Sequence, residues 1–200
     1  MNTSTLPLGR VVAAHGRHCI VEAEEGERIL CHPRGKKSQT VVGDLVFWQR
    51  SGDEGTVERV QERRNLFYRQ DEIRTKSFAA NIDQVLVLLA ADPEFSESQL
   101  SRALVAAEAE GIAPLVVLNK LDLGEAHARA WQRLGPYREM GHEVLPLGLH
   151  GGPEAEATVQ ALLERLRGRA TLVLGPSGAG KSTLINRLVP HAGAQTGEVS

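Results

Sequence analysis

The chain has 200 residues, 42% hydrophobic and 24% charged, an ordinary globular composition that allows one or two domains and excludes disorder or fibrous structure. Its longest apolar run, Val85 to Ala91, is seven residues against the about 20 needed to span a bilayer, and Met1 to Arg10 lacks a signal-peptide pattern. A cytoplasmic protein with no membrane contact is expected. Lys and Arg number 23 and Asp and Glu 25, so the net charge of −2 offers no bulk attraction to nucleic acid. The two cysteines, Cys19 and Cys31, are too few for a disulfide framework or a zinc site of their own.

From Gly9 to Arg69 short β-branched or apolar runs alternate with glycine-marked turns: Arg10 to Ala14, Cys19 to Ala23, Arg28 to His32, Leu45 to Trp48 and Thr56 to Val60. Five strands at this spacing predict a small barrel or sandwich. Residues 63 to 80, mixed in charge and without periodicity, read as a linker. Beyond residue 80 the pattern becomes strands alternating with helices. The strands are Val85 to Ala91, Leu115 to Leu118, Glu143 to Leu147 and Thr171 to Leu174. The helices are Glu97 to Glu110, Glu125 to Met140, Glu154 to Arg167 and Lys181 to Leu188. Alternation of this kind predicts a parallel sheet covered by helices on both faces. The division expected is residues 1–69, net +2, and residues 70–200, net −4.

Two motifs carry chemistry. Gly175-Pro176-Ser177-Gly178-Ala179-Gly180-Lys181-Ser182-Thr183 fits GxxxxGK[ST] between an apolar strand and an apolar-periodic helix. Glycines there let successive backbone N–H groups wrap a phosphate, and the helix N-terminus adds partial positive charge. Lys181 would neutralise the β and γ oxygens, Ser182 would hold Mg2+ and Thr183 would reach the α-phosphate. Asn119-Lys120-Leu121-Asp122 follows a strand at the carboxyl end, where open α/β sheets bind ligands. The Asp122 carboxylate can accept from guanine N1–H and its exocyclic amine, a donor pair adenine lacks. Asn119 can bridge the base to the phosphate loop, and the stem of Lys120 can cover a ring face.

The order of the motifs is unusual, because Asn119 precedes Gly175 by 56 positions whereas most GTPases place the phosphate loop first. Either the domain is circularly permuted or one motif is accidental. Permutation costs little, since a site depends on the spatial order of strands.

With these motifs the chain resembles the small ribosomal subunit biogenesis GTPase family, the circularly permuted RsgA type. The residues that carry the likeness are Arg34-Gly-Lys36, Val42-Gly-Asp-Leu-Val46, Ala80-Asn-Ile-Asp83, Asn119 to Leu123, Gly175 to Asn186 and Gly197-Glu-Val-Ser200. The resemblance implies an OB-fold barrel contacting ribosomal RNA, a permuted P-loop GTPase domain, GTP and Mg2+, and the small ribosomal subunit as partner, in a monomer. Two departures stand out. Leu147-Gly148 replaces the family's Ser-Ala loop against guanine, and the family's switch loops and zinc domain should follow Ser200. A C-terminally truncated chain, with weak or no hydrolysis of its own, is the expectation.

Arg34, Lys36 and Lys37 form a basic loop expected to contact RNA, with Arg59, Arg63, Arg64 and Arg69 after the last barrel strand. A solvated polar loop explains charge alone equally well. Phe47 and Trp48 are neighbours in one strand, so one faces inward and one outward. Asp92 imitates a Mg2+ aspartate but reads better as a turn former beside Pro93. Two rival functions are an ATP-dependent small-molecule kinase, with Asn119 to Asp122 an accidental turn, and an RNA-binding module with a vestigial nucleotide site.

Overall fold

Inward apolar residues at every second position close the first five strands on themselves. In the computed structural model, which describes residues 6–35, 40–70, 75–189 and 192–194, these are β1 (Leu8–Ala14), β2 (Cys19–Ala23), β3 (Arg28–Pro33), β4 (Leu45–Ser51) and β5 (Glu54–Val60). The closed order is β1-β2-β3-β5-β4, with β3 and β5 parallel and the other pairs antiparallel. This is an OB-type barrel. Its core joins Val11, Val21, Ile29, Val46, Val57 and Trp48 to the facing pair Cys19 and Cys31. Trp48 points inward, while Phe47 lies under the Arg59 guanidinium at 3.8 Å. Burial pushes the Cys31 thiol up to about 11, aided by the neighbouring Cys19.

An ion pair with a buried carboxylate ties the segment that follows β5 to the turn before β4. Asp44, fully buried, accepts from Arg63 Nε at 2.7 Å, from a terminal guanidinium nitrogen of Arg63 at 2.9 Å, and from the Val41 N–H at 2.9 Å. The adjacent Gly43 has φ +92°, and a Cβ on it would lie 2.0 Å from the Ala80 carbonyl oxygen. Only glycine fits there.

The segment read as a linker is a hairpin, β6 (Leu66–Gln70) and β7 (Thr75–Ala80). Val42 bridges to Ala79, and the Asn81 amide donates to Gly43 O at 3.0 Å while accepting from Arg64 N at 2.8 Å. These bonds attach the hairpin to the barrel turn, so the structure divides into Met1–Ile82 and Asp83–Ser200, where the sequence reading divided it after Arg69. Such a ribbon lacks the apolar alternation that marks a half-buried strand, which is why periodicity missed it.

The second unit runs β8 (Gln84–Ala90), α1 (Glu97–Ala109), β9 (Ala113–Asn119), α2 (Glu125–Arg133), α3 (Gly135–Glu139), β10 (Val144–Pro146), α4 (Pro153–Leu166), β11 (Thr171–Leu174) and α5 (Lys181–Leu188). The sheet order is β10-β9-β8-β11, all parallel. Every residue of β8 is buried, as a strand covered on both faces requires. The single helix expected from Glu125 to Met140 is two, because Pro136 cannot donate an N–H to the preceding turn. Leu86, Leu88, Leu115, Val117, Leu162 and Leu184 form the core beneath the carboxyl ends of β9 and β11, which carry the two motifs. Among the described residues no helix is long and apolar enough to cross a membrane.

Candidate nucleotide-binding site

The phosphate loop leaves β11 against its neighbour strand: a Cβ on Gly175 would lie 2.2 Å from the Leu88 carbonyl oxygen. Gly178 and Gly180 then take φ of +77° and +96°, which turn the backbone back toward α5. Ser177 is exposed at the tip, Ala179 is buried, and Pro176 is half-buried. Lys181 opens α5 and folds back across the loop, its Nζ donating to Gly175 O at 2.8 Å and Pro176 O at 2.7 Å. Its ammonium therefore lies where the loop turns, beside the open N–H groups of the helix end. Ser182 and Thr183 follow in the first turn, both half-buried.

Asn119 closes β9 and is 4% exposed. Its Nδ2 donates to Ala179 O at 2.9 Å, so the two motifs, 60 residues apart, are joined by one bond. A Cβ on Gly180 would sit 2.4 Å from that nitrogen, so the amide occupies the space glycine leaves. The buried Asn119 Oδ1 has no hydrogen-bond partner among the described residues. Such an atom is costly unless something else supplies a donor. Lys120 adopts the left-handed conformation at φ +66°, and Leu121–Leu123 form one 3-10 turn on which Asp122 is exposed. The turn is sewn to β10: Leu121 N donates to Leu147 O at 3.1 Å, and Leu147 N to Leu118 O at 2.8 Å.

Gly148 is tightly packed. A Cβ on Gly148 would meet the Ala155 Cβ at 2.9 Å, so α4 approaches the loop only because residue 148 is glycine. Gly148 N donates to Thr158 Oγ1 at 2.9 Å, a contact that no local sequence signal announces. Asp92 is exposed in the turn after β8, and Ser96 rather than Asp92 caps α1.

In the barrel unit Arg34 pairs with Glu58, while Lys36 and Lys37 lie outside the described residues. Of the four arginines expected after the last strand, Arg59 lies within β5 and covers Phe47, Arg63 grips Asp44, and Arg64 donates to the Asn81 carbonyl at 3.0 Å. Among the described residues no group of three or more His, Cys, Asp or Glu could hold a metal. For Mg2+ the hard-oxygen chemistry of Ser182, at a helix start beside a lysine-bearing glycine loop, fits a metal that arrives with a triphosphate.

Comparison with known proteins agrees with this geometry. The family model described as RsgA GTPase matches residues 60–200. A small ribosomal subunit biogenesis GTPase RsgA of Variovorax paradoxus is 67% identical over 96% of the chain and 60% of its own length. One of Burkholderia pseudomallei is 53% identical over 96% of the chain and 61% of its length. The chain thus spans about 60% of the length of these relatives. The crystal structure of YjeQ from Thermotoga maritima is similar with a TM-score of 0.72 at 30% identity, covering 92% of this chain and 66% of that one. The barrel followed by a parallel sheet whose base motif precedes its phosphate loop is therefore no accident of two stray motifs, and the chain belongs to the RsgA GTPase family.

Proposed function

We propose that the α/β unit binds a guanine nucleoside triphosphate with Mg2+, and that the protein uses GTP hydrolysis in assembly of the small ribosomal subunit. The observation that carries this reading is the Asn119 to Ala179 bond, which fastens a base-reading turn to a phosphate-wrapping loop while leaving Asn119 Oδ1 without a partner. Asp122 reads the guanine donor edge, and the stem of Lys120 covers one ring face. The backbone of residues 175–180 wraps the phosphates. Lys181 exchanges its two carbonyl partners for phosphate oxygens, and the Ser182 hydroxyl is the protein's ligand to Mg2+, which offsets triphosphate charge. Hydrolysis and ribosome assembly are supported by the names of the relatives.

In the same reading the barrel, drawn in sequence as residues 1–69, contacts ribosomal RNA through the loop of Arg34, Lys36 and Lys37. Residues 70–200 hold the nucleotide. The protein acts in the cytoplasm as a monomer, and zinc is held outside these 200 residues.

The experiment is Asp122→Asn. Xanthine carries a carbonyl where guanine carries an amine, so an amide donor suits it and a carboxylate does not. Titration with fluorescent nucleotides should show guanine affinity falling at least about tenfold, the size of one charge-assisted hydrogen bond, and xanthine affinity rising. An unchanged guanine preference would reduce Asn119 to Asp122 to a turn and overturn the reading.

A further inference from the structure

One side chain outside both motifs joins the end of β10 to the start of α4. Thr158, in the second turn of α4, accepts the Gly148 N–H at 2.9 Å and donates its own proton to Ala155 O at 2.7 Å. With donor and acceptor both engaged, the hydroxyl is fixed in direction. Gly148 is seated between two elements: a Cβ there would lie 2.9 Å from Ala155 Cβ and 3.4 Å from Leu121 Cβ. One residue earlier, Leu147 exchanges backbone bonds with Leu118 and Leu121 beside the base-reading turn. One residue later, Leu149 Cδ1 lies 3.5 Å from where a Gly180 Cβ would be, next to the phosphate loop. Residues 147–149 thus touch both motifs, yet Leu-Gly-Leu has no polar side chain with which to brace itself.

We propose that Thr158 is a positioning residue for the nucleotide base, holding residues 147–149 as the third wall of a pocket formed with the Asn119 to Asp122 turn and the phosphate loop. The inference rests on the guanine reading above and adds to it the helix that sets the wall. Preorganisation is the physical gain: a wall already in place need not be ordered when the ligand arrives. Because Thr158 acts through the loop at the base side, its influence falls on the base and not on the phosphates.

The test compares GDP with inorganic pyrophosphate, each with Mg2+, by calorimetry on the chain and its variants. Thr158→Val keeps the side-chain shape and removes the hydroxyl. GDP affinity should fall by roughly 3- to 10-fold, the worth of one hydrogen bond, while pyrophosphate affinity stays unchanged. Thr158→Ser should restore GDP binding. A second route leaves the hydroxyl intact: Gly148→Ala pushes the loop off Ala155 and should weaken GDP alone, and adding Ala155→Gly should recover it. Unchanged GDP affinity in Thr158→Val, or equal loss of GDP and pyrophosphate, would overturn the proposal. A parent chain that binds ADP as tightly as GDP would overturn the guanine reading itself, and this proposal with it.

Discussion

Among the described residues, the barrel and the α/β unit each bury one polar side-chain atom without a hydrogen-bond partner, and the two atoms have different surroundings. Trp48 Nε1 is pressed into the barrel core, 3.0 Å from where a Cβ on Gly9 would stand. Asn119 Oδ1 lies where two motifs cross, beside a loop whose glycines leave room. The contrast extends to charge. In the barrel, Asp44 and Arg63 satisfy each other and pin a turn. In the α/β unit, the Lys181 ammonium rests on two backbone carbonyls of its own loop. The buried carboxylate of the first unit is paired with a cation, whereas the ammonium of the second rests on neutral carbonyls.

The largest expected effect strikes the barrel side of this comparison. Asp44→Ala leaves Arg63 facing a buried turn and removes the acceptor of the Val41 N–H. Breaking a buried pair by removing one partner costs about 3 to 5 kcal/mol, and Arg63's partial access to water favours the lower figure. Urea unfolding of the barrel should register that loss with GDP affinity unchanged, and a stable barrel would break the claim that this pair is structural.

Alkaline pH tests the core that the ion pair closes. Below about pH 9 the Cys31 thiol is protonated in folded and unfolded chains alike. Burial raises its folded value from 9.0 to about 11, so the unfolded chain loses its proton first and stability drops as pH climbs through that window. The parent should lose of order 2 kcal/mol more than Cys31→Ala between pH 9 and 11. Equal losses would mean the thiol is not shielded as the barrel core requires.

Asn119→Ala sharpens the ligand side. It removes the link to Ala179 and the unpartnered oxygen together, so GDP affinity should fall about tenfold or more, as loss of one to two hydrogen bonds dictates. Stability should fall by only about 1 kcal/mol, because the loss of the Nδ2 bond to Ala179 is offset in part by removing a buried oxygen that has no partner. A strongly destabilised variant with intact GDP affinity would reverse the assignment. The smallest effect belongs to the matching atom in the barrel: Trp48→Phe trades relief of a buried, unpaired N–H against a small cavity, and unfolding free energy should stay within about 1 kcal/mol of the parent.

What could be read in the residues followed how local the signal was. Thr171 to Leu174 and Lys181 to Leu188 were placed to the residue, because an apolar run, a glycine loop and a helical period are written in neighbouring positions. The order of Asn119 before Gly175 announced a permuted sheet, since each motif marks the end of its own strand. The hairpin at 66–80 escaped because its stability comes from Asn81 and Val42 reaching Gly43 and Ala79 across the chain, with no alternation inside the ribbon. The helix break at Pro136 escaped as well: one helix was read through Glu125 to Met140, although proline's missing donor marks the place where the structure divides it.

By itself, then, the sequence determined class: short strands for a barrel, long apolar ones for a covered sheet, and a glycine loop and a carboxylate-bearing turn at the ends of two of its strands. Tertiary structure alone decided which polar groups meet. Asp44 with Arg63, Asn119 with Ala179 and Gly148 with Thr158 are separated by 19, 60 and 10 residues, and nothing in the intervening chain records the pairing. Backbone preferences act over a few residues, whereas a buried hydrogen bond is chosen by whatever donor the packing of distant elements brings within about 3 Å.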